Sequence, residues 1–191
     1  ENLWLKFLYR KQVMVLTRVK KTIRNIVIIV TLFFVFIMRY GLYFSPIAAH
    51  ESSERSINYG PSEIVHIEDF PEGKYVLAKY DKWVSCNTVN RALFFLCRPG
   101  SQPIGFENDE SKALDFTWSM TGNYSKLYGI MNDSRIKKVE IVFDNGKILT
   151  QTEFYDNLFL FTWDSENNPR WNFESIKGYD SDNNLIFEDK F

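Results

Sequence analysis

The sequence has few of the side chains on which metal and redox chemistry depends. Two histidines, His50 and His66, and two cysteines, Cys86 and Cys97, are present in 191 residues. A zinc site would have to gather these from distant parts of the chain, and no spacing motif supports that. The two cysteines are eleven positions apart, which excludes a redox pair of the Cys-x-x-Cys type. We therefore expect neither a metal nor a cofactor.

The signatures of nucleophilic hydrolases are also missing. No Gly-x-Ser-x-Gly elbow occurs in the sequence, and a Ser-His-Asp triad could use only His66 as its base. We expect no catalytic residue of this kind and favour a protein that is not an enzyme. The open alternative is an extracytoplasmic hydrolase that acts on cell-wall material through carboxylates lining one cleft. The candidate carboxylates are Asp109, Glu110, Glu153 and Asp156.

Charge is absent from residues 25 to 38, which have the sequence NIVIIVTLFFVFIM. Fourteen residues are short for a membrane span, which needs roughly 20 at about 1.5 Å each. A helix over residues 23 to 44 reaches that length, because Arg39 can extend outwards and Tyr40 and Tyr43 suit the interface. Apolar residues on every face argue against a buried helix of a soluble protein. We predict a transmembrane helix over residues 23 to 44.

Charge is distributed unevenly about this span. Residues 1 to 49 hold eight Lys and Arg against one acid, and the remaining 142 residues hold 15 against 23. The net charge of −1 is therefore the sum of +7 over residues 1 to 49 and −8 over the remaining 142 residues. Seven of the eight bases precede the apolar run, so the positive-inside rule predicts a basic cytoplasmic segment over residues 1 to 22 and an exported C-terminal part. A net charge of −8 disfavours nucleic acid as a partner.

A cleaved signal peptide shares the basic start and the apolar core, and it remains the alternative to an uncut signal anchor. A cleavage site needs small residues at the cut and two positions before it. Ile47 stands two positions before Ala49, and Pro46 stands two positions before Ala48. These bulky or rigid residues favour a single-pass anchor that stays in the cell membrane.

The rest of the chain predicts a linker and then a β domain. Residues 45 to 71 are rich in Ser, Pro, Gly and charge, which is typical of a juxtamembrane linker, with a short strand at its end around residues 64 to 67. Over residues 72 to 191, runs of β-branched and aromatic residues alternate with turn residues, which predicts an antiparallel sandwich or barrel-like domain. The predicted strands cover residues 74–80, 83–87, 114–120, 126–131, 136–143, 147–152, 159–163, 172–178 and 185–188.

Two local predictions concern turns and burial. Asn145-Gly146 between alternating apolar residues predicts a hairpin with a type I′ turn. Residues 87 to 98 fit a helix through Val89 and Leu96 and a strand through Phe94 and Phe95 equally well. We expect this stretch to be buried in either case.

The cysteines lie in the segment that is predicted to be outside the cell, where thiols tend to be oxidised. If the chain turns back near Arg91, Cys86 and Cys97 would face each other. We predict a disulfide between them, with two buried free thiols as the alternative.

Four stretches of the β domain carry a family resemblance. They are GFENDESKALDFTW, YGIMNDSRIKKVEIVFDNGK, TQTEFYDNLFLFTW and SIKGYDSDNNLIFE, within residues 105 to 188. They resemble the uncharacterised, membrane-anchored, exported small β proteins of Bacillus and its relatives. The resemblance implies an exported β domain and supplies no catalytic residue.

Aromatic side chains are the remaining functional signal. Most of them are expected to pack in sheet cores, and one or two exposed rings could stack on sugars or anchor a protein. We therefore predict a membrane-anchored extracytoplasmic binding or interaction module, whose partner is another envelope protein or a cell-wall glycan. The candidate binding residues are Trp83, Trp118, Trp163 and Trp171.

Overall fold

The computed structural model describes residues 2–101, 104–121, 123–164 and 172–191. The chain divides into two units, residues 1–43 and residues 44–191. The first unit contains helix α1 (Asn2–Arg39). The segment of α1 from Thr17 to Arg39 is long and apolar enough to span a membrane, and no other helix among the described residues is. A signal sequence would meet the same criteria of length and composition.

The second unit is mainly β. Helix α2 (Pro46–Ser56) comes first, and antiparallel strands fill most of the remaining described residues. In chain order the strands are β1 (Glu63–Phe70), β2 (Gly73–Tyr80), β3 (Trp83–Arg91), β4 (Cys97–Pro99), β5 (Phe106–Glu107), β6 (Leu114–Thr121), β7 (Tyr124–Met131), β8 (Lys138–Phe143), β9 (Ile148–Gln151), β10 (Leu158–Asp164), β11 (Phe173–Tyr179) and β12 (Leu185–Lys190).

These strands form three sheets in the described part of the chain. Sheet A has the order β1-β2-β3-β4, and β5 also pairs with β3. Sheet B has the order β10-β7-β6, and sheet C has the order β12-β11-β8-β9. Most neighbours in these orders are joined by short turns, which suits antiparallel pairing.

Sheet B is the middle layer of the domain, because its strands bury side chains on both faces. Leu127 and Met131 of β7 join a core cluster with residues of sheet C, whereas Tyr128 and Ile130 join a second cluster with residues of sheet A. Successive side chains of a strand point to opposite faces, so a strand that is buried throughout must lie between two layers. The layers therefore follow the order α2, sheet A, sheet B, sheet C.

The nine predicted strands are all present, with ends shifted by up to four residues. The hairpin at residues 143 to 148 is confirmed, but its type I′ turn was wrong. Of the two central residues only Gly146 has a positive φ, and Phe143 exchanges hydrogen bonds with Gly146 and Lys147. This is the three-residue loop in which a glycine in the left-handed region forms a bulge.

The segment predicted as a linker differs most from the structure. Residues 46 to 56 form α2, and the predicted short strand is β1 of sheet A. The buried face of α2 consists of Ala49, His50, Ser53 and Glu54. Their spacing of three and four residues is helical, but three of the four are polar, so apolar periodicity gave no signal.

The stretch at residues 87 to 98 is neither a helix nor one strand. Strand β3 continues to Arg91, residues 92–96 turn, and β4 returns along β3. Val89 and Leu96 are buried as expected, but the side chains of residues 93–95 are exposed, so that part of the burial prediction was wrong.

The predicted disulfide is not formed. Both cysteines are free, with Cys86 buried and Cys97 half-buried. The chain does turn back after Arg91, but the register pairs Cys97 with Arg91, five residues along β3 from Cys86. At about 3.3 Å per residue this is roughly 17 Å, whereas bridged cysteines have Cα atoms closer than about 7 Å.

Candidate functional site

A buried lysine lies between sheets A and B. Lys126 is on the face of β7 that is turned towards sheet A, and its side chain is only 2% exposed. Its Nζ donates hydrogen bonds to the carbonyl oxygen of Cys86 and to Oγ1 of Thr88, the latter over 2.9 Å. It also lies 4.9 Å from the ring centre of Tyr75 and 6.0 Å from that of Tyr128.

No carboxylate forms a salt bridge with Lys126 within the described residues. Burial lowers the pKa of Lys126, and the neighbouring Cys86 acts in the opposite direction. A lysine ammonium has three N–H donors, and two of them have protein partners here. The third donor has no hydrogen-bond partner among the described residues, which is costly for a buried cation.

The lysine borders an open cavity of about 390 Å³ between the two sheets. One wall is aromatic, because Phe70 stacks on Tyr75 with ring centres 4.2 Å apart and meets Tyr124 edge to face at 5.7 Å. Arg98 of β4 adds a second cation at the border, and Glu72 adds one acid. A cavity of this size, with an apolar wall and a few polar groups, is typical of small-molecule sites.

The elements position these groups by alternation along the strands. The register pairs Tyr75 of β2 with Thr88 of β3, so both side chains point to sheet B, as do Cys86 and Leu77. Lys126 points back from β7 and meets them. Burial raises the pKa of Tyr75, so its hydroxyl stays protonated at neutral pH. The cavity can therefore receive an anionic group at Lys126 and a flat apolar group against the rings.

No family model, curated protein or solved structure matches this chain. The chemistry of the domain must therefore be inferred from its own side chains.

The predicted tryptophan sites do not converge on this cavity. Trp163 is in the core between sheets B and C, 7% exposed, and Trp83 is half-buried at the start of β3. Trp118 of β6 is 45% exposed and meets Phe173 and Phe191 edge to face. Trp171 lies outside the described residues. Trp118 is thus the described candidate that combines an exposed ring with a fixed orientation.

The four candidate carboxylates are exposed in two loops, residues 108–113 and residues 152–157. Asp109 accepts hydrogen bonds from Ser111, and Asp156 pairs with Lys79 at 2.7 Å. None of the four borders the cavity at Lys126. In the part of the chain that the structure describes, no three His, Cys, Asp or Glu side chains are grouped to hold a metal ion.

His50 lies in a buried polar network rather than in a linker. The side-chain amide of Asn87 is 3.0 Å from Nδ1 of His50 and 2.6 Å from Oγ of Ser53. Because the Ser53 hydroxyl already donates to the His50 carbonyl, the amide nitrogen of Asn87 must be the donor to both atoms. Nδ1 is therefore unprotonated and Nε2 carries the proton. Burial lowers the pKa of His50, while Glu54 and Glu51 act to raise it.

This network does not have the geometry of a catalytic triad. Ser62 and Glu54 both lie at Nε2 of His50, at 3.0 and 3.2 Å. In a triad the acid holds the ring nitrogen opposite to the one that faces the nucleophile, and here that nitrogen faces Asn87. The hydrogen bonds from Asn87 of β3 to His50 and Ser53 of α2 instead hold α2 against sheet A. His66, the other histidine, stacks on Tyr155 and contacts Glu68.

Sequence reasoning did not single out Lys126. A lysine near the start of a strand is usually exposed, and nothing local shows that β7 is covered on both faces. The available signal is the run of residues 124 to 131, in which apolar and aromatic residues occupy both faces after the lysine. A strand with two apolar faces indicates a central layer, where a lysine would be buried.

Proposed function

We propose that the protein is a membrane-anchored binding module, and that its β domain receives an anionic ligand in the cavity at Lys126. The observation that carries the proposal is the buried ammonium group of Lys126, which has an unused donor and no carboxylate partner in the described chain. Burying a cation without a counter-charge is costly, so such groups persist where they serve binding or chemistry.

The shape of the cavity narrows the ligand class. Lys126 and Arg98 suit a carboxylate or phosphate group, and the wall of Phe70, Tyr75 and Tyr124 suits the flat face of a sugar ring. The net charge of −8 beyond residue 49 repels long polyanions, which favours a ligand with one anionic group. An acidic cell-wall glycan fragment combines these features, and the acidic side chain of an envelope protein is the competing ligand.

The N-terminal helix supports the proposed placement of the domain. Helix α1 is long and apolar enough to cross a membrane, and seven bases precede its uncharged run. The positive-inside rule then places the N-terminus in the cytoplasm and the β domain outside, in a single pass across the cell membrane.

Binding is tested with the full chain in nanodiscs by calorimetry, using glucuronic acid, N-acetylmuramic acid and neutral N-acetylglucosamine as probes. The acidic sugars should bind and the neutral sugar should not. Lys126→Met should weaken binding about 10- to 150-fold, because a hydrogen bond to a charged group contributes about 1.5–3 kcal/mol. Lys79→Met is the matched control, since Lys79 is paired with Asp156. Equal affinity in wild type and Lys126→Met would refute the site.

Orientation is tested by adding protease to intact cells that carry epitopes at both ends of the chain. The epitope after Phe191 should be removed and the N-terminal epitope should survive. Protection of the C-terminal epitope, while a known surface protein is digested, would overturn the topology.

A further inference from the structure

The hairpin between β3 and β4 ends in an apolar tip. Leu93, Phe94 and Phe95 are 54%, 91% and 66% exposed. The turn is tight, because Ala92 and Leu96 are joined by a backbone hydrogen bond of 2.7 Å and the amide of Leu96 also bonds to the carbonyl of Leu93. Phe94 has a φ of +50°, a region that bulky residues rarely adopt. The fold thus holds an exposed phenylalanine in a strained backbone conformation, and burial of its side chain in the core does not compensate for the strain.

The tip continues into a second exposed ring at the beginning of the domain. Phe95 stacks on Phe44 with ring centres 6.0 Å apart and planes inclined by 19°. Phe44 is itself more than half exposed. The three phenylalanines, Phe44, Phe94 and Phe95, border a shallow groove of about 240 Å³. We name these three residues together with Leu93 the apolar tip.

We propose that the apolar tip inserts into the interfacial layer of the bilayer that α1 crosses. Four residues separate Phe44 from Arg39, the last residue of α1. An extended chain spans at most about 3.6 Å per residue, so Phe44 lies within about 18 Å of the end of the helix in any orientation of the domain. The stacking of Phe95 on Phe44 keeps this part of the tip within 6.0 Å of the Phe44 ring, and therefore near the end of the helix as well. This proposal rests on the proposed membrane anchoring of α1.

Charge beside the tip fits a phospholipid surface. Arg91 lies at the base of the turn, borders the groove and is exposed. Arg91 forms no salt bridge with a described residue, whereas the other two charged side chains at the groove, Lys74 and Asp69, pair with each other. Aromatic rings with flanking cations are the usual composition of segments at the headgroup level, where the cations meet lipid phosphates. Insertion into the bilayer accounts for the short distance between the tip and the membrane span, whereas binding of a protein partner would not require that distance.

The proposal is tested with the full chain reconstituted in liposomes of phosphatidylcholine and phosphatidylglycerol. Phe94→Cys in a Cys97→Ser background is labelled with an environment-sensitive nitrobenzoxadiazole dye. Cys86 stays unlabelled, because it is buried and burial raises its pKa to about 11. Ile148→Cys, at an exposed site beside the β8–β9 turn, is the matched control. Lipids with a doxyl group on the acyl chain should quench the dye at position 94 at least threefold more strongly than the dye at position 148.

Equal quenching at positions 94 and 148 would overturn the proposal. A dye at position 94 that is shielded from aqueous iodide but is not quenched by doxyl lipid would also overturn it, in favour of a protein contact. Leu93→Cys repeats the measurement at a second position of the tip, in case Phe94→Cys disturbs the fold. Flotation of the same liposomes after an alkaline wash reports on the anchor separately. If the chains float but the dye at the tip is not quenched, insertion of the apolar tip is refuted and membrane anchoring by α1 is not. If the chains fail to float, membrane anchoring by α1 is refuted.

Discussion

Removal of helix α2 should destabilise the β domain strongly. The comparison is between residues 44–191, which form one unit, and residues 62–191, which keep every strand but lack α2. If the segment before β1 were a linker, the two fragments would be equally stable. In the structure α2 covers the outer face of sheet A, where Val76, Ala78 and Val89 are almost completely buried.

The size of the effect follows from the side chains that lose their cover. Burying a valine contributes about 1.5–3 kcal/mol and a single methyl group about 0.8 kcal/mol. Two valines and one alanine on the sheet therefore give an upper limit of about 4–7 kcal/mol. Helix propagation is close to neutral in free energy, because each new hydrogen bond offsets most of the ordering entropy of its residue, so the eleven helix residues reduce this value only in part. We expect a loss of about 2–7 kcal/mol, which is a large share of the usual 5–15 kcal/mol for a domain.

Urea denaturation followed by circular dichroism measures the difference. The shorter fragment should unfold at a clearly lower urea concentration or fail to fold. Two substitutions in the longer fragment separate the docking of α2 from its mere presence: Ala49→Arg, at the buried face, should reproduce much of the loss, and Ile47→Arg, at an exposed position, should not. Coincident unfolding curves for the two fragments would refute the role of α2.

Three further predictions concern Lys126, the two cysteines and Gly129. The free energy of unfolding of residues 44–191, compared with that of the Lys126→Met variant, should rise as the pH increases from 7 to 10. The lysine has a pKa near 10.5 in the unfolded chain and a lower pKa when buried, so over this range the unfolded state binds more protons than the folded state. A difference in unfolding free energy that stays constant from pH 7 to 10 would contradict the lowered pKa. Maleimide should label Cys97 in the folded protein and Cys86 after unfolding without reductant, and a requirement for reductant would restore the disulfide. Gly129→Ala should lower stability by about 1–3 kcal/mol in urea denaturation, because its new Cβ would lie 2.3 Å from the carbonyl oxygen of Asp115; an unchanged midpoint would contradict the close packing of β6 on β7.

Local patterns were sufficient for the strands and for an apolar N-terminal helix, although this helix ends at Arg39 and not at residue 44 as predicted. Each predicted strand had its own run of β-branched and aromatic residues, and the hairpin at Asn145-Gly146 had its own turn residues. The turn type was not predictable in the same way. A glycine in the left-handed region suits both the type I′ turn and the bulged loop, and strand register decides between them.

Strand register also determines whether the two cysteines lie close enough to form a disulfide. The sequence shows that the chain can turn back near Arg91, but it does not show how far β4 slides along β3. A turn at residues 92–96 pairs Cys97 with Arg91 and leaves Cys86 opposite Leu77 of β2. The choice of partner strand is a long-range property, since it depends on which side chains of both sheets are buried together.

The sequence by itself determined the apolar N-terminal helix, the uneven charge on its two sides and the succession of antiparallel strands, because these depend on contiguous residues and on short periods. Only the tertiary structure decided the stacking of three sheets, the docking of α2 through polar side chains and the position of Lys126 beside an aromatic cavity. Burial on a second face of a strand comes from a layer that is distant in sequence. For that reason the lysine between sheets A and B, on which the proposed binding site depends, looked from the sequence like an ordinary strand residue.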